Sequence, residues 1–243
     1  MRRGIASHRR GAKPNLRWIK APGGDGGRKA RIMTLLDLDA IRAARTERVP
    51  FDYFLASRVL SADAAAEIAR DFPRLAGPGL YPADEAGGGP AFRALIAEIQ
   101  GPALRAVYAE KFGVDLDGRP MMVTVRARAR ATDGKIHVDS TGKFLTSLLY
   151  LNQGWQADGG RLRFLRGPGD LEDYIAEVPP DAGSLVAFRR TEKSWHGHKP
   201  FAGERRYVMF NWMTGRAIAA WETARHRASA AVKRLLGAGR EAA

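Results

Sequence analysis

Five short runs between residues 121 and 212 narrow the folds open to this chain. Residues 121–130 (MMVTVRARAR) alternate apolar and polar with period two, as a strand with one wet face does. Residues 143–152 (KFLTSLLYLN) are mostly apolar, as in a strand covered on both faces. Gly159 and Gly160 mark a turn or bulge before 161–165 (RLRFL). The run 183–188 (GSLVAF) follows Pro179 and Pro180, and 206–212 (RYVMFNW) closes the series. Turn residues separate these strands at short intervals, the pattern of a sandwich or barrel.

One pair of residues points to chemistry. His137 and Asp139 flank Val138, so in an extended chain their side chains share a face. His196 follows 57 residues after Asp139, room for several intervening strands. Two imidazoles and one carboxylate leave about three positions of an octahedron open, which suits non-haem Fe(II) in oxygen chemistry. Alone, an H-x-D spacing is a weak signal.

The motifs around it are more specific. They are Ile136–Ser140 and Thr146–Asn152 with its Tyr-Leu-Asn ending. Then come Trp155, Gly159–Leu162 and Gly183–Phe188. Last is Ser194–His196, continuing through Pro200 and Gly203 to Arg206. In this order they resemble the iron(II)- and 2-oxoglutarate-dependent dioxygenases, in the branch of bacterial-type prolyl-4-hydroxylase-like catalytic domains. The resemblance covers roughly 121–213, and residues 33–120 resemble the helical N-terminal part of bacterial members less diagnostically. It implies a mainly β fold with flanking helices, a double-stranded β-helix or cupin-like jelly-roll barrel. By that resemblance His137, Asp139 and His196 hold Fe(II) and form the catalytic face. The cosubstrate 2-oxoglutarate and O2 take the remaining positions. Succinate and CO2 are released as a C–H bond of a substrate, a protein prolyl residue or a small molecule, is hydroxylated. Ascorbate is the implied reductant. Arg206, ten residues after His196, falls where the family carries a cation for the far carboxylate, and a guanidinium grips a carboxylate in two places. Tyr150 matches a family tyrosine on the same carboxylate. Thr146, four residues earlier on the same strand face, is expected to help.

Three further residues are candidates for second contacts or substrate. Arg126 and Arg128 share a strand face with Arg130 and could reach an acidic substrate at the barrel mouth, although a solvated face is the commoner outcome. These arginines stand where a prolyl hydroxylase relative often has an aromatic, which puts proline as substrate in doubt. His198 shares the face of His196 and could hydrogen-bond behind it.

Composition bounds the rest. The absence of cysteine excludes disulfides, cysteine nucleophiles and thiolate metal sites. No apolar run approaches the roughly 18 residues of a membrane span. No secretory signal is legible, so the expected location is the cytoplasm without membrane contact. The net charge of +14 sits at the ends. Residues 1–32 hold ten Lys/Arg against Asp25 alone, and 217–243 hold five against Glu222 and Glu241, leaving +2 for the middle. Nucleic acid is therefore not the expected partner. A nucleic-acid-binding protein using its basic ends, or a non-catalytic jelly-roll binding module, are the alternatives.

The expected organisation is a basic, disordered extension at 1–32, a helical support region at 33–120, the dioxygenase core at 121–216 and a basic helix at 217–243. Met33 opens a cleaner sequence and is the expected natural start. Within the support region, Leu35 to Arg45 reads as a helix and 51–55 as a strand. Ser61 reads as the cap of an Ala-rich helix. Residues 76–90 read as a Gly/Pro-rich loop, and Pro90 to Phe112 as a helix broken at Gly101 and Pro102. The C-terminal helix is suited to docking on the barrel or to pairing subunits; the oligomeric state is open.

Overall fold

The N-terminal elements begin where capping side chains permit. The structure, a computed structural model, describes residues 34–241, so the extension read at 1–32 lies outside the described residues. Asp37 caps α1 (Leu38–Ala43) by accepting from the Ala40 N–H at 2.9 Å. β1 (Thr46–Glu47) pairs antiparallel with β2 (Tyr53–Ala56). Ser61 caps α2 (Ala62–Asp71) by accepting from Ala64 N–H at 3.1 Å. The stretch 76–90 differs from the connector expected. It carries β3 (Tyr81–Pro82), which pairs with Val125 and Thr124, and the single turn α3 (Ala83–Ala86). Proline sits at an edge strand, where its missing donor costs nothing. Gly101 separates α4 (Pro90–Gln100) from α5 (Pro102–Phe112), each opened by a proline at its first position.

The barrel strands follow: β4 (Met121–Ala129), β5 (Lys143–Tyr150), β6 (Leu162–Leu165), β7 (Tyr174–Val178), β8 (Leu185–Arg189), β9 (His196–Gly197) and β10 (Gly203–Met213). The chain continues into α6 (Arg216–Glu241). One sheet has seven strands in the order β1-β2-β8-β5-β10-β4-β3, and the other has three, β7-β6-β9. All pairings within them are antiparallel. A bridge from His137 to His196 adds the H-x-D segment to the free edge of β9.

Alternation divides the large sheet between two cores. On β5, β8 and β10, Leu145, Leu149, Leu185, Ala187, Val208, Phe210 and Trp212 meet the helices. The alternate residues Leu148, Tyr150, Val186, Phe188, Tyr207 and Met209 meet Leu162, Phe164 and Val178 of the small sheet. Both faces are dry, which explains why 143–152 reads as a continuous apolar run. Each fully buried Leu, Val or Phe contributes roughly 1.5–3 kcal/mol. Two facing sheets sharing one core make the double-stranded β-helix. α6 docks on the barrel against β3, β4 and β10, where Ala219 packs on Met122 and Met213. Among the described residues no helix is long and apolar enough to cross a membrane.

Candidate active site

The inner core stops short of one end of the barrel, and the strand faces there turn polar. His137 and His196 exchange both backbone hydrogen bonds at 3.0 Å, a closed antiparallel pair that sets their rings side by side, 4.3 Å between centroids. Asp139, two residues beyond His137, faces the same way. One donor atom from each of the three lies within 4.8 Å of the others, close enough to hold one metal ion.

Hydrogen bonds prepare each donor. The Nδ1 of His137 lies 2.8 Å from the Lys135 carbonyl, and that of His196 lies 2.9 Å from the Ser194 carbonyl. A carbonyl only accepts, so each Nδ1 carries the proton and each Nε2 lone pair is free for a metal. Burial holds His196 down to about 4, against the opposing pull of Asp139, so its ring is neutral at pH 7. Asp139 is buried, which alone would raise it. Lys143 and His196 outweigh burial, helped by the Thr146 hydroxyl, and the carboxyl sits at about 2. Lys143 Nζ donates to Asp139 Oδ1 at 2.8 Å and Thr146 Oγ1 donates to Oδ2 at 2.6 Å. Lys143 was read from sequence only as the start of a strand. The tight turn joining Ser140 to Lys143, closed at 3.0 Å, is what folds it back onto Asp139.

The three residues line a cleft of about 220 Å³. Thr146 and His198 line it too, as do Arg126, Arg205 and Tyr207. His198 keeps its Nδ1 on the Lys199 carbonyl at 2.8 Å, and burial together with Arg205 lowers it to about 4. Its ring lies against Gly134, where a side chain would collide and where φ is +87°. Arg128 is exposed and does not reach the cleft.

Arg206 does not face the cleft. Its guanidinium pairs with Glu204 at 3.0 Å and stacks 5.2 Å from the Phe72 ring, on the helix side of the sheet. Val208, Phe210 and Trp212 point the same way, and residues two apart on a strand share a face. Arg205 shares the other face with Tyr207 and Met209, nine residues after His196 and one short of the offset that pointed to Arg206. It is 2% exposed and has no carboxylate within ion-pair distance among the described residues. Its Nε donates to the Gly160 carbonyl at 2.8 Å and its Nη2 to the Tyr150 phenol oxygen at 3.1 Å. Tyr150 is wholly buried, and its phenol meets the Arg205 guanidinium at the edge of the cleft. Burial, against the pull of Arg205, pushes its phenol up to about 12, so it stays protonated.

Residues 125–214 match the family model of the 2OG-Fe(II) oxygenase superfamily. No curated protein matches the chain. Among solved structures, a Pseudomonas putida prolyl-4-hydroxylase aligns with 21% identity over 72% of this chain and 90% of its own, at a TM-score of 0.49. A viral collagen prolyl hydroxylase from Paramecium bursaria Chlorella virus-1 aligns with 14% identity over 68% and 96%, at 0.46. The barrel segment belongs to the 2OG-Fe(II) oxygenase superfamily, whose metal is Fe(II) and whose cosubstrate is 2-oxoglutarate. On that match, residues 125–214 form the barrel of a 2-oxoglutarate-dependent dioxygenase.

Proposed function

We propose that His137, Asp139 and His196 hold Fe(II) and that Arg205, not Arg206, holds the far carboxylate of 2-oxoglutarate. The observation that carries this is a buried guanidinium without a carboxylate, lining the same cleft as two free imidazole Nε2 atoms and an ionised Asp. An uncompensated buried cation is costly, and an acidic ligand relieves it. The donor set suits Fe(II), with two neutral nitrogens and one oxygen leaving open positions. When bound, the metal supplies oxygen activation. The chain supplies the rest. Lys135 and Ser194 fix the imidazole tautomers, Thr146 and Lys143 orient the carboxylate, and Tyr150 with Gly160 aims Arg205.

The reaction on this reading is hydroxylation of a substrate C–H bond coupled to conversion of 2-oxoglutarate to succinate and CO2. Purified protein given Fe(II), 2-oxoglutarate and O2 should bind one metal and release succinate, slowly without substrate and faster with it. Absence of both metal binding and succinate would sink the reading.

A further inference from the structure

The inner face of β4 carries polar groups for which iron and 2-oxoglutarate have no use. Arg126 points into the cleft, and Asp133 takes its Nη1 at 2.5 Å. Its Nε is buried and meets no acceptor. Thr124, two residues earlier, also has a buried hydroxyl without a partner, but it lines the separate pocket beneath α6, so Arg126 is the donor that the cleft itself offers. A guanidinium that lines a cleft with only one of its edges paired suits a ligand that supplies acceptors.

Around Arg126, Arg130 and Lys233 add positive charge against the one carboxylate of Asp133. The same Asp133 oxygen that serves Arg126 also accepts the Arg130 backbone N–H at 2.9 Å. α6 brings Lys233 over the Tyr81 ring at 4.9 Å, with Nζ 3.5 Å from the carbonyl of Leu80, a cleft residue. Burial and the nearness of Arg126 and Arg130 hold the Lys233 ammonium below its usual range. Tyr207 links this group to the cosubstrate side, its ring centroid 6.0 Å from the Arg126 guanidinium and 5.1 Å from that of Arg205. The cleft thus has two guanidinium positions around one ring. On the reading above, 2-oxoglutarate fills the one at Arg205.

We propose that the other receives the substrate: the molecule hydroxylated here carries a carboxylate or a phosphate, which docks on the Arg126 guanidinium where it lines the cleft, with Lys233 at the lip. The inference rests on Arg205 being the cosubstrate anchor.

The test uses the full chain with Fe(II) and saturating 2-oxoglutarate under nitrogen, so that the metal and Arg205 are already engaged. Acetate, its neutral isostere acetamide and inorganic phosphate are added separately at fixed ionic strength while the unfolding temperature is followed. Acetate or phosphate should give a saturable rise and acetamide none; which anion binds more tightly names the source. Arg126→Gln should weaken that response about 10- to 100-fold, the value of one charge-assisted hydrogen bond. Arg126→Lys should keep part of it. Arg128→Gln, exposed on the same strand, should match the wild type. A flat wild-type response, or an equal midpoint in Arg126→Gln, overturns the proposal. Binding of 2-oxoglutarate is measured first in every sample, so a chain that fails that step refutes the anchor reading instead.

Discussion

Arg205 donates to the phenol oxygen of Tyr150 across 3.1 Å, linking β10 to β5 on the barrel's inner side, where Tyr150 stands opposite Tyr207. The guanidinium is thereby aimed before any ligand arrives, so little ordering is left to binding. We predict that Arg205→Ala weakens 2-oxoglutarate binding by about 2–5 kcal/mol, the usual loss when a buried charge loses its mate. That is roughly 30-fold to over 1,000-fold in affinity. Arg206→Ala, which gives up Glu204, the Ala69 carbonyl and the Phe72 ring, should leave affinity unchanged. Titration of both iron-loaded variants under nitrogen decides between the two. A reversed result would return the anchor to Arg206.

Tyr150→Phe removes the acceptor behind Arg205 but no direct ligand contact. The expected loss is smaller, about 1–3 kcal/mol in 2-oxoglutarate binding. The signature is a raised KM for 2-oxoglutarate with kcat nearly kept, because the guanidinium is less well held rather than absent. A fall in kcat at saturating 2-oxoglutarate would place the phenol at the chemistry instead.

Most of the barrel is legible in the sequence because its strands are apolar runs set off by turn residues. Only the 121–130 run alternates; β5, β8 and β10 are buried on both faces and read as near-continuous apolar stretches. β9 is not legible: two residues of His-Gly carry no pattern, and they form a strand only because β6 and His137 offer ladders on either side. β3 hides in a Gly- and Pro-rich stretch for the same reason. The H-x-D pair and His196 stand out because metal ligands need rare residue types at fixed offsets. The choice between Arg205 and Arg206 turned on one residue of register. The alternation of Tyr207 and Met209 against Val208 and Phe210 contained that answer, but an offset of nine or ten did not. Lys143, Asp133 and Lys233 were out of reach, because turns and a distant helix bring them in.

Thr146 carries more than its size suggests. Its hydroxyl is 1% exposed, 2.6 Å from Asp139 and 3.0 Å from Asn211. A hydroxyl has one proton, and the ionised carboxylate is the stronger acceptor. We expect Thr146→Val, nearly isosteric, to lower metal affinity about 10- to 100-fold while the fold persists. Thr146→Ser should recover most of it. Metal content after dialysis against a graded chelator reads the effect, and undiminished retention in Thr146→Val would remove the hydroxyl from the site's support.

Acid should loosen α6. His226 on that helix lies over the Met121–Thr124 end of β4. Burial first, then Arg225, hold its ring below the ordinary range, with Glu222 opposing. The folded state therefore binds the proton less readily than the unfolded chain. Stability from this group is fully present above about pH 6.5 and is lost as pH falls toward the folded value. His196 and His198, both at about 4, add slopes of the same sign in metal-free protein. Comparison with His226→Gln isolates the helix. Between about pH 7 and about pH 5 the variant's unfolding temperature should fall less than the wild type's. Parallel curves would show that His226 titrates as it does in the unfolded chain.

The two histidines of β9 and its continuation invite a sharper separation. His196 and His198 are two residues apart and both line the cleft, so facing alone does not distinguish them. Their surroundings do. His196 is bridged to His137 through both backbone bonds and shares a 4.8 Å donor cluster with Asp139. His198 bonds its backbone N–H to the Gly134 carbonyl at 2.9 Å, lies against Gly134 and stands outside that cluster. We predict that His196→Ala abolishes Fe(II) binding and Fe(II)-dependent succinate formation. His198→Ala should keep its metal and lose about 10- to 100-fold in turnover at most, because only the wall beside Arg205 is disturbed. Bound iron and succinate are measured in parallel on both proteins. If His198→Ala loses the metal and His196→Ala retains it, the ligand assignment moves two residues along the chain, and the bridge to His137 becomes a purely structural pair.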